Sequence, residues 1–120
     1  MPRAVDGTRR KDHRKKILKQ AKGYWGRRSK LYRTAKDAVA KSLTYAYRDR
    51  KAKKREFRQL WIARISAGCR AEGMSYSRFM NGLSRANVQM NRKALSNLAI
   101  EDRDAFRELV GRAKSALETR

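Results

Sequence analysis

The stretch RDRKAKKREFRQLWIARISAG, residues 48–68, decides the fold because it joins a polycation to an apolar helical pattern. No glycine or proline interrupts it before Gly68, so one helix is permitted across the whole junction. Its second part has apolar residues at helical spacing, which predicts a face packed in a core: Phe57, Leu60, Trp61 and Ile65. Its first part carries seven cations: Arg48, Arg50, Lys51, Lys53, Lys54, Arg55 and Arg58.

At roughly 100° per residue, these seven cations do not fall on one stripe of a helix but spread widely around it. Only Asp49 and Glu56 lie among them to relieve the repulsion. A membrane-surface helix would keep one face apolar, and a solvated helix would pair its cations with acids four residues away. The pattern therefore predicts anions on every side of the helix. A folded RNA supplies them, and a large assembly containing DNA is the alternative.

The charge is concentrated in the first half of the chain. Residues 1–58 contain 22 lysines and arginines and 5 acidic residues, a net charge of +17, whereas residues 59–120 hold the remaining +5 of the total of +22. Large apolar residues are sparse in this half, too few to offset the entropy of ordering it. We therefore expect residues 1–58 to form a basic helical extension that orders with its partner. Residues 59–120 are expected to form a globular helical domain.

The predicted fold is all-α, because no segment alternates with period two. Good helix formers predict a first helix from about Arg9 to Lys22, and Gly23 and Gly26 predict a bend. Beyond the bend, a very long helix is predicted from about Arg27 to Arg70.

Capping signals divide the C-terminal part into short helices. Gly73 is suited to end the long helix, and Ser75 and Asn91 are suited to begin the next two. A last helix is predicted to begin between Glu101 and Asp104, where carboxylates suit a helix N-terminus. The residues that these helices are predicted to bury are Tyr76, Phe79, Met80, Leu83, Leu95, Leu98, Ala99, Phe106, Leu109, Val110, Ala113 and Leu117.

Composition excludes several function classes. The single cysteine, Cys69, and the single histidine, His13, predict no internal disulfide, no metal site and an intracellular protein. No apolar run reaches the roughly 20 residues of a membrane span. The chain has no glycine-rich phosphate-binding loop, no pair of carboxylates in an apolar setting and no Ser/His/Asp arrangement. We therefore expect no enzymatic activity, no cofactor and no small-molecule substrate. Cys69 is not flanked by a histidine or a carboxylate, so it is predicted to be a small buried side chain rather than a nucleophile.

Aromatic residues among cations suggest further RNA contacts. Tyr24 and Trp25 lie between cations at the bend, where they could either stack on unpaired bases or join the two helices. Tyr32, Tyr45 and Tyr47 have little core to join, which favours contact with RNA. Trp61 is predicted to be a core residue. The cations predicted from charge and position alone to contact RNA are Arg9, Arg10, Lys11, Arg14, Lys30, Lys51 and Lys53.

Four long strings carry a family resemblance: KKILKQAKGYWG (15–26), YAYRDRKAKKREFRQLWIARISAG (45–68), GMSYSRFMNGL (73–83) and NRKALSNLA (91–99). With them, almost the whole chain resembles the bacterial family of large-subunit ribosomal protein number twenty. The resemblance implies a cytoplasmic constituent of the large ribosomal subunit that binds 23S-type ribosomal RNA and is needed early in assembly. It also implies that residues 1–58 penetrate between RNA segments, that residues 59–120 dock on RNA, and that neighbouring large-subunit proteins are partners. A regulatory binder of its own messenger RNA and a DNA-compacting protein are the alternatives.

The resemblance also assigns individual contacts. On the basic arm it assigns RNA contacts to Arg3, Lys15, Lys16, Lys19, Lys22, Arg27, Arg28, Arg33, Arg48, Arg50, Lys54, Arg55 and Arg58. In the C-terminal domain it extends them to Ser77, Arg78, Asn81, Arg85 and Arg92. The sequence departs from the family at Val5 and Asp6, where basic residues are usual, and at Asp12, so we expect altered RNA contact at the extreme N-terminus. Cys69 stands where alanine is common.

Overall fold

The computed structural model describes residues 7–118, and every regular element in that range is helical. The elements are α1 (Gly7–Gln20), a 3₁₀ turn (Gly26–Arg28), α2 (Tyr32–Ala71), α3 (Tyr76–Arg85), α4 (Arg92–Glu101) and α5 (Arg103–Glu118). The all-α prediction, with a bend and one very long helix, is confirmed. By its internal contacts the chain divides after Lys51 into two units, and α2 contributes to both.

The bend between α1 and α2 is longer than the sequence suggested. Gly23 and Gly26 have φ angles of +91° and +58°, a region that glycine enters without steric cost. A 3₁₀ turn follows, and the Leu31 N–H donates to the Arg27 carbonyl at 2.9 Å. The predicted start of the long helix at about Arg27 is therefore wrong, because these turns occupy the segment and α2 begins at Tyr32.

A small apolar cluster joins α1 to the beginning of α2 within the first unit. Its buried members are Ala21, Ala35 and Val39, and half-buried Ile17, Leu18 and Tyr24 pack against them. Two of the three buried side chains are alanines, so the cluster removes little apolar surface from water.

The second unit has a larger core, to which all four of its helices contribute. Phe79 of α3 and Phe106 of α5 meet at its centre, with ring centroids 5.3 Å apart and tilted by 44°. Full burial of an aliphatic or aromatic side chain stabilises a fold by about 1.5–3 kcal/mol, so this cluster holds the unit together. The buried residues are Ile65, Cys69, Met74, Phe79, Leu83, Leu95, Phe106, Val110 and Ala113.

The predicted helix caps are present. The Met74 N–H donates to the Cys69 carbonyl at 2.9 Å and the Gly73 N–H to the Arg70 carbonyl at 3.0 Å, the double hydrogen bond of a Schellman helix end. At the helix starts, Ser75 Oγ accepts from the Arg78 N–H at 3.4 Å and Asn91 Oδ1 from the Ala94 N–H at 2.8 Å. These contacts fix where α2 ends and where α3 and α4 begin.

Part of the apolar face predicted at the junction is not buried. Ile65 is fully buried, but Phe57 and Leu60 remain 44% and 42% exposed, and Trp61 and Met80 are only half-buried. Assigning Phe57, Leu60 and Trp61 to the core was therefore wrong. The core of the second unit begins at Ile65 on α2, and the turns before it face solvent on this side.

Candidate nucleic-acid interface

The seven cations of the basic run on α2, Arg48 to Arg58, are all exposed. At about 100° per residue they cover about 220° of the circumference of α2, and Asp49 and Glu56 lie in the remaining arc of about 140°. The prediction of anions on every side of the helix is therefore wrong for this arc, and anions are expected on the other sides. Arg48 Nε donates to Asp49 Oδ1 at 2.8 Å, a bond that raises the pKa of Arg48. Within residues 7–118, Arg50, Lys53, Lys54, Arg55 and Arg58 make no ion pair. Most of the charge of this run is therefore available to an external polyanion.

Aromatic rings hold several cations of α2 in place. The ring of Tyr45 has Lys41 Nζ at 5.0 Å and the Arg48 guanidinium at 4.7 Å from its centroid. Lys51 Nζ lies 4.4 Å from the centroid of Tyr47 and donates a hydrogen bond of 2.7 Å to its hydroxyl. Such contacts restrict long side chains on an exposed helix. In this structure Tyr45 and Tyr47 orient neighbouring cations, and both rings remain exposed.

The two aromatic residues of the bend occupy different environments. Tyr24 is half-buried against the apolar cluster of the first unit, whereas Trp25 is 91% exposed. Tyr24 thus joins the helices, and the Trp25 ring is open to solvent. Both residues border a cleft of about 350 Å³ together with Arg28, Ala38, Lys41, Ser42 and Tyr45.

The predicted RNA-binding cations of α1 and the bend are also exposed. Arg14 lies 5.4 Å from the centroid of Tyr32, and the ring of His13 meets the edge of the same tyrosine at 6.3 Å. Tyr32 is thereby half-buried. The other exposed cations here are Arg9, Arg10, Lys11, Lys15, Lys16, Lys19, Lys22, Arg27, Arg28, Lys30 and Arg33. Arg3, Val5 and Asp6 lie outside the described residues.

In the second unit, α3 presents a short polar face. Ser77, Arg78, Asn81 and Arg85 are exposed and fall within an arc of roughly 100° around the helix axis. Four of the five residues predicted to contact RNA in this part of the chain lie on this face. The fifth, Arg92, begins α4 and belongs to a different surface.

A cleft of about 540 Å³ lies between α2 and the beginning of α4. α2 lines it with Lys54, Arg55, Arg58 and Trp61, and the start of α4 with Asn91, Arg92 and Lys93. Among the lysines and arginines of residues 7–118, Arg92 alone is not exposed, and its Nε donates to the Tyr76 hydroxyl at 3.0 Å. Trp61, Asn91 and Lys93 line this cleft but were not among the residues predicted to contact RNA. The spacing of Lys54, Arg58 and Trp61, which places them on one helix face, was the available signal.

The described residues give no support for a metal site, a membrane-spanning helix or a nucleophilic cysteine. Within residues 7–118 no group of three or more His, Cys, Asp or Glu side chains could hold a metal ion. The same range contains no helix that is both long and apolar enough to cross a membrane. Cys69 is fully buried, and burial raises the pKa of its thiol to about 11, which disfavours the nucleophilic thiolate.

Comparison with known proteins gives a consistent result. A family model described as "Ribosomal protein L20" matches residues 3–109. The chain is 56% identical over 117 residues to a protein of Natranaerobius thermophilus and 58% identical over 117 residues to one of Carboxydothermus hydrogenoformans. Both relatives are named "Large ribosomal subunit protein bL20", and each alignment covers 98% of this chain and 100% of the relative.

Proposed function

Because the chain belongs to the ribosomal protein L20 family, we propose that it is a structural constituent of the large ribosomal subunit. In this role it binds 23S-type ribosomal RNA directly and acts early in subunit assembly, in the bacterial cytoplasm. Its contribution is structural rather than catalytic. Neighbouring large-subunit proteins are further partners.

The observation that carries this proposal is the exposed positive charge that covers most of the circumference of α2. Six of the seven cations from Arg48 to Arg58 have no ion pair within the described part of the chain, so most of their mutual repulsion is unrelieved in the free protein. Phosphates on several sides of the helix relieve this repulsion, and their binding releases condensed counterions. A membrane surface or a flat acidic protein would reach only one side of the helix. Folded RNA reaches several sides at once, and recognition by phosphate contact and shape is the usual mode for structured RNA.

The two parts of the chain take different roles in this proposal. Residues 1–58 penetrate between RNA segments, and residues 59–120 dock as a globular helical domain. The contrast between the alanine-rich cluster of the first unit and the nine-residue core of the second supports this division. The proposed contacts are the exposed cations and aromatics of the arm, the polar face of α3, and Arg92.

A more specific proposal is that the protein also binds its own messenger RNA. A messenger that folds into the same phosphate surface would be bound by the same cations, because contacts to phosphate carry no base sequence. DNA compaction lacks any comparable support, since both named relatives are large-subunit proteins.

The test is mass spectrometry of purified large subunits before and after a high-salt wash, combined with protein–RNA crosslinking. We expect one copy per subunit, retained in high salt, with crosslinks from residues 14–58 to 23S-type RNA. Loss of the protein from the washed particle, or crosslinks confined to messenger RNA or DNA, would overturn the proposal.

A further inference from the structure

We infer that the cleft between α2 and the start of α4 binds one unpaired nucleotide of folded RNA, with its base against Trp61 and its phosphates against Arg58 and Arg92. This inference rests on the proposed function and assigns a specific ligand to one part of the surface. It gives Trp61, Asn91 and Lys93 a role in RNA binding.

The charge of the residues that line the cleft favours the binding of an anion. Five of its seven lining residues are cations, contributed by two helices, and none is acidic. Arg92 is the best positioned of them, because its Nε–H is already donated to the Tyr76 hydroxyl at 3.0 Å. A guanidinium has five N–H donors, so four remain to bind phosphate from a side chain whose orientation is fixed.

The indole of Trp61 distinguishes a nucleotide from a bare phosphate. Trp61 is half-buried, and its ring packs at a tilt against Phe57 with centroids 6.2 Å apart. The remaining ring surface lies among cations, where it offers a flat apolar partner. Bases stack on such rings when they are unpaired, whereas bases within an RNA duplex already stack on each other.

Size and polar contacts fit the same ligand. The cleft, at about 540 Å³, lies within the roughly 300–1,000 Å³ of small-molecule sites. Asn91 uses its Oδ1 to cap α4 through the Ala94 N–H, which leaves its amide N–H donors for an acceptor on the edge of a base.

The test uses the emission of Trp61 in the full-length chain. The protein has two tryptophans, so Trp25→Phe leaves Trp61 as the sole indole. Titration of this variant with purified large-subunit ribosomal RNA should quench its emission saturably, as expected for base stacking. Trp61→Ala should weaken RNA binding by about tenfold, and Trp61→Phe should recover most of that loss because phenylalanine retains a stacking face.

The control is Arg112→Gln, which removes an exposed charge of α5 outside the cleft and should change the affinity little. If the unmodified chain binds the RNA but Trp61 emission is unchanged, the inference is overturned and the proposed function stands. If the unmodified chain does not bind large-subunit RNA, both fail. Crosslinks from Lys93 to a protein rather than to RNA in intact subunits would also overturn it, because the cleft would then be a protein docking site.

Discussion

Gly82 of α3 lies directly against Ala113 of α5. A Cβ placed on Gly82 would be 2.5 Å from the Ala113 carbonyl oxygen and 2.7 Å from the Ala113 Cβ. These helices form the most extensive contact of the second unit, so the backbone cannot move apart without disturbing the core. We expect Gly82→Ala to lower the free energy of unfolding by roughly 1–3 kcal/mol, the usual cost of overpacking, in urea titrations followed by circular dichroism.

Gly111→Ala is the matched control. Gly111 is also helical, in α5, but a Cβ there would meet no atom within 4 Å. Alanine is the better helix former, so this variant should gain about 0.5–1 kcal/mol. Equal stability of the two variants would mean that α3 and α5 do not approach as closely as the structure has them.

Features encoded by local sequence were predicted correctly. Ser75 and Asn91 cap helices because a short polar side chain can reach the N–H groups three residues ahead, which requires no distant partner. Gly73 likewise ends α2 through local hydrogen bonds that require no distant partner. Asn87, with a φ of +54°, ends α3 in the same way through the Val88 N–H and the Leu83 carbonyl at 3.0 Å, but asparagine signals such an end less clearly than glycine.

Features that depend on distant packing were not predictable. Helical spacing groups Phe57, Leu60 and Ile65 but does not say which of them another helix covers. In the structure only Ile65 joins the core. The cleft has the same origin, because Trp61 and Lys93 are far apart in the sequence and border the same cleft only in the folded chain.

Burial of Cys69 makes stability depend on alkaline pH. The thiol has an ordinary pKa of 9.0, and burial raises its pKa to about 11 in the folded protein. Between these values the unfolded chain has released a proton that the folded chain retains, so stability falls as pH rises from about 9 to about 11. Below pH 9 both states are protonated and this contribution is constant.

Comparison with the variant Cys69→Ala separates the effect of the Cys69 thiol on stability from the effects of lysines and tyrosines that titrate in the same pH range. We expect the stability of the unmodified protein to decrease relative to this variant between pH 9 and 11 in paired urea titrations. Parallel curves across that range would show that the Cys69 thiol does not titrate differently in the folded state. As a second readout, a thiol reagent at pH 8 should label Cys69 only as fast as the second unit opens.

Arg55 and Arg58 provide a direct test of charge neutralisation. Both are exposed, and neither has an ion-pair partner in the described part of the chain. The double variant Arg55→Gln/Arg58→Gln should bind large-subunit RNA more weakly. The slope of log K against log salt should decrease in magnitude by roughly 1.5, because two fewer counterions are released.

The melting temperature of the free double variant should be unchanged, since no contact of the core is altered. Arg112→Gln, which changes a cation of α5, should leave the slope near that of the unmodified protein. An unchanged slope in the double variant would mean that Arg55 and Arg58 stay solvated in the complex.

The first unit should be far less stable than the second in the absence of RNA. Its buried apolar residues among those described are Ala21, Ala35 and Val39, whereas nine apolar residues are buried in the second unit. So little burial does not offset the entropy of ordering some 45 residues that carry a large excess of positive charge.

We expect amide protons of residues 7–51 to exchange rapidly in the free protein and to become protected when large-subunit RNA is bound. The amides of Phe79 and Leu83, within the larger core, serve as the internal reference and should be protected in both states. Strong protection of residues 7–51 without RNA would contradict the prediction and would mean that the small cluster suffices to order the arm.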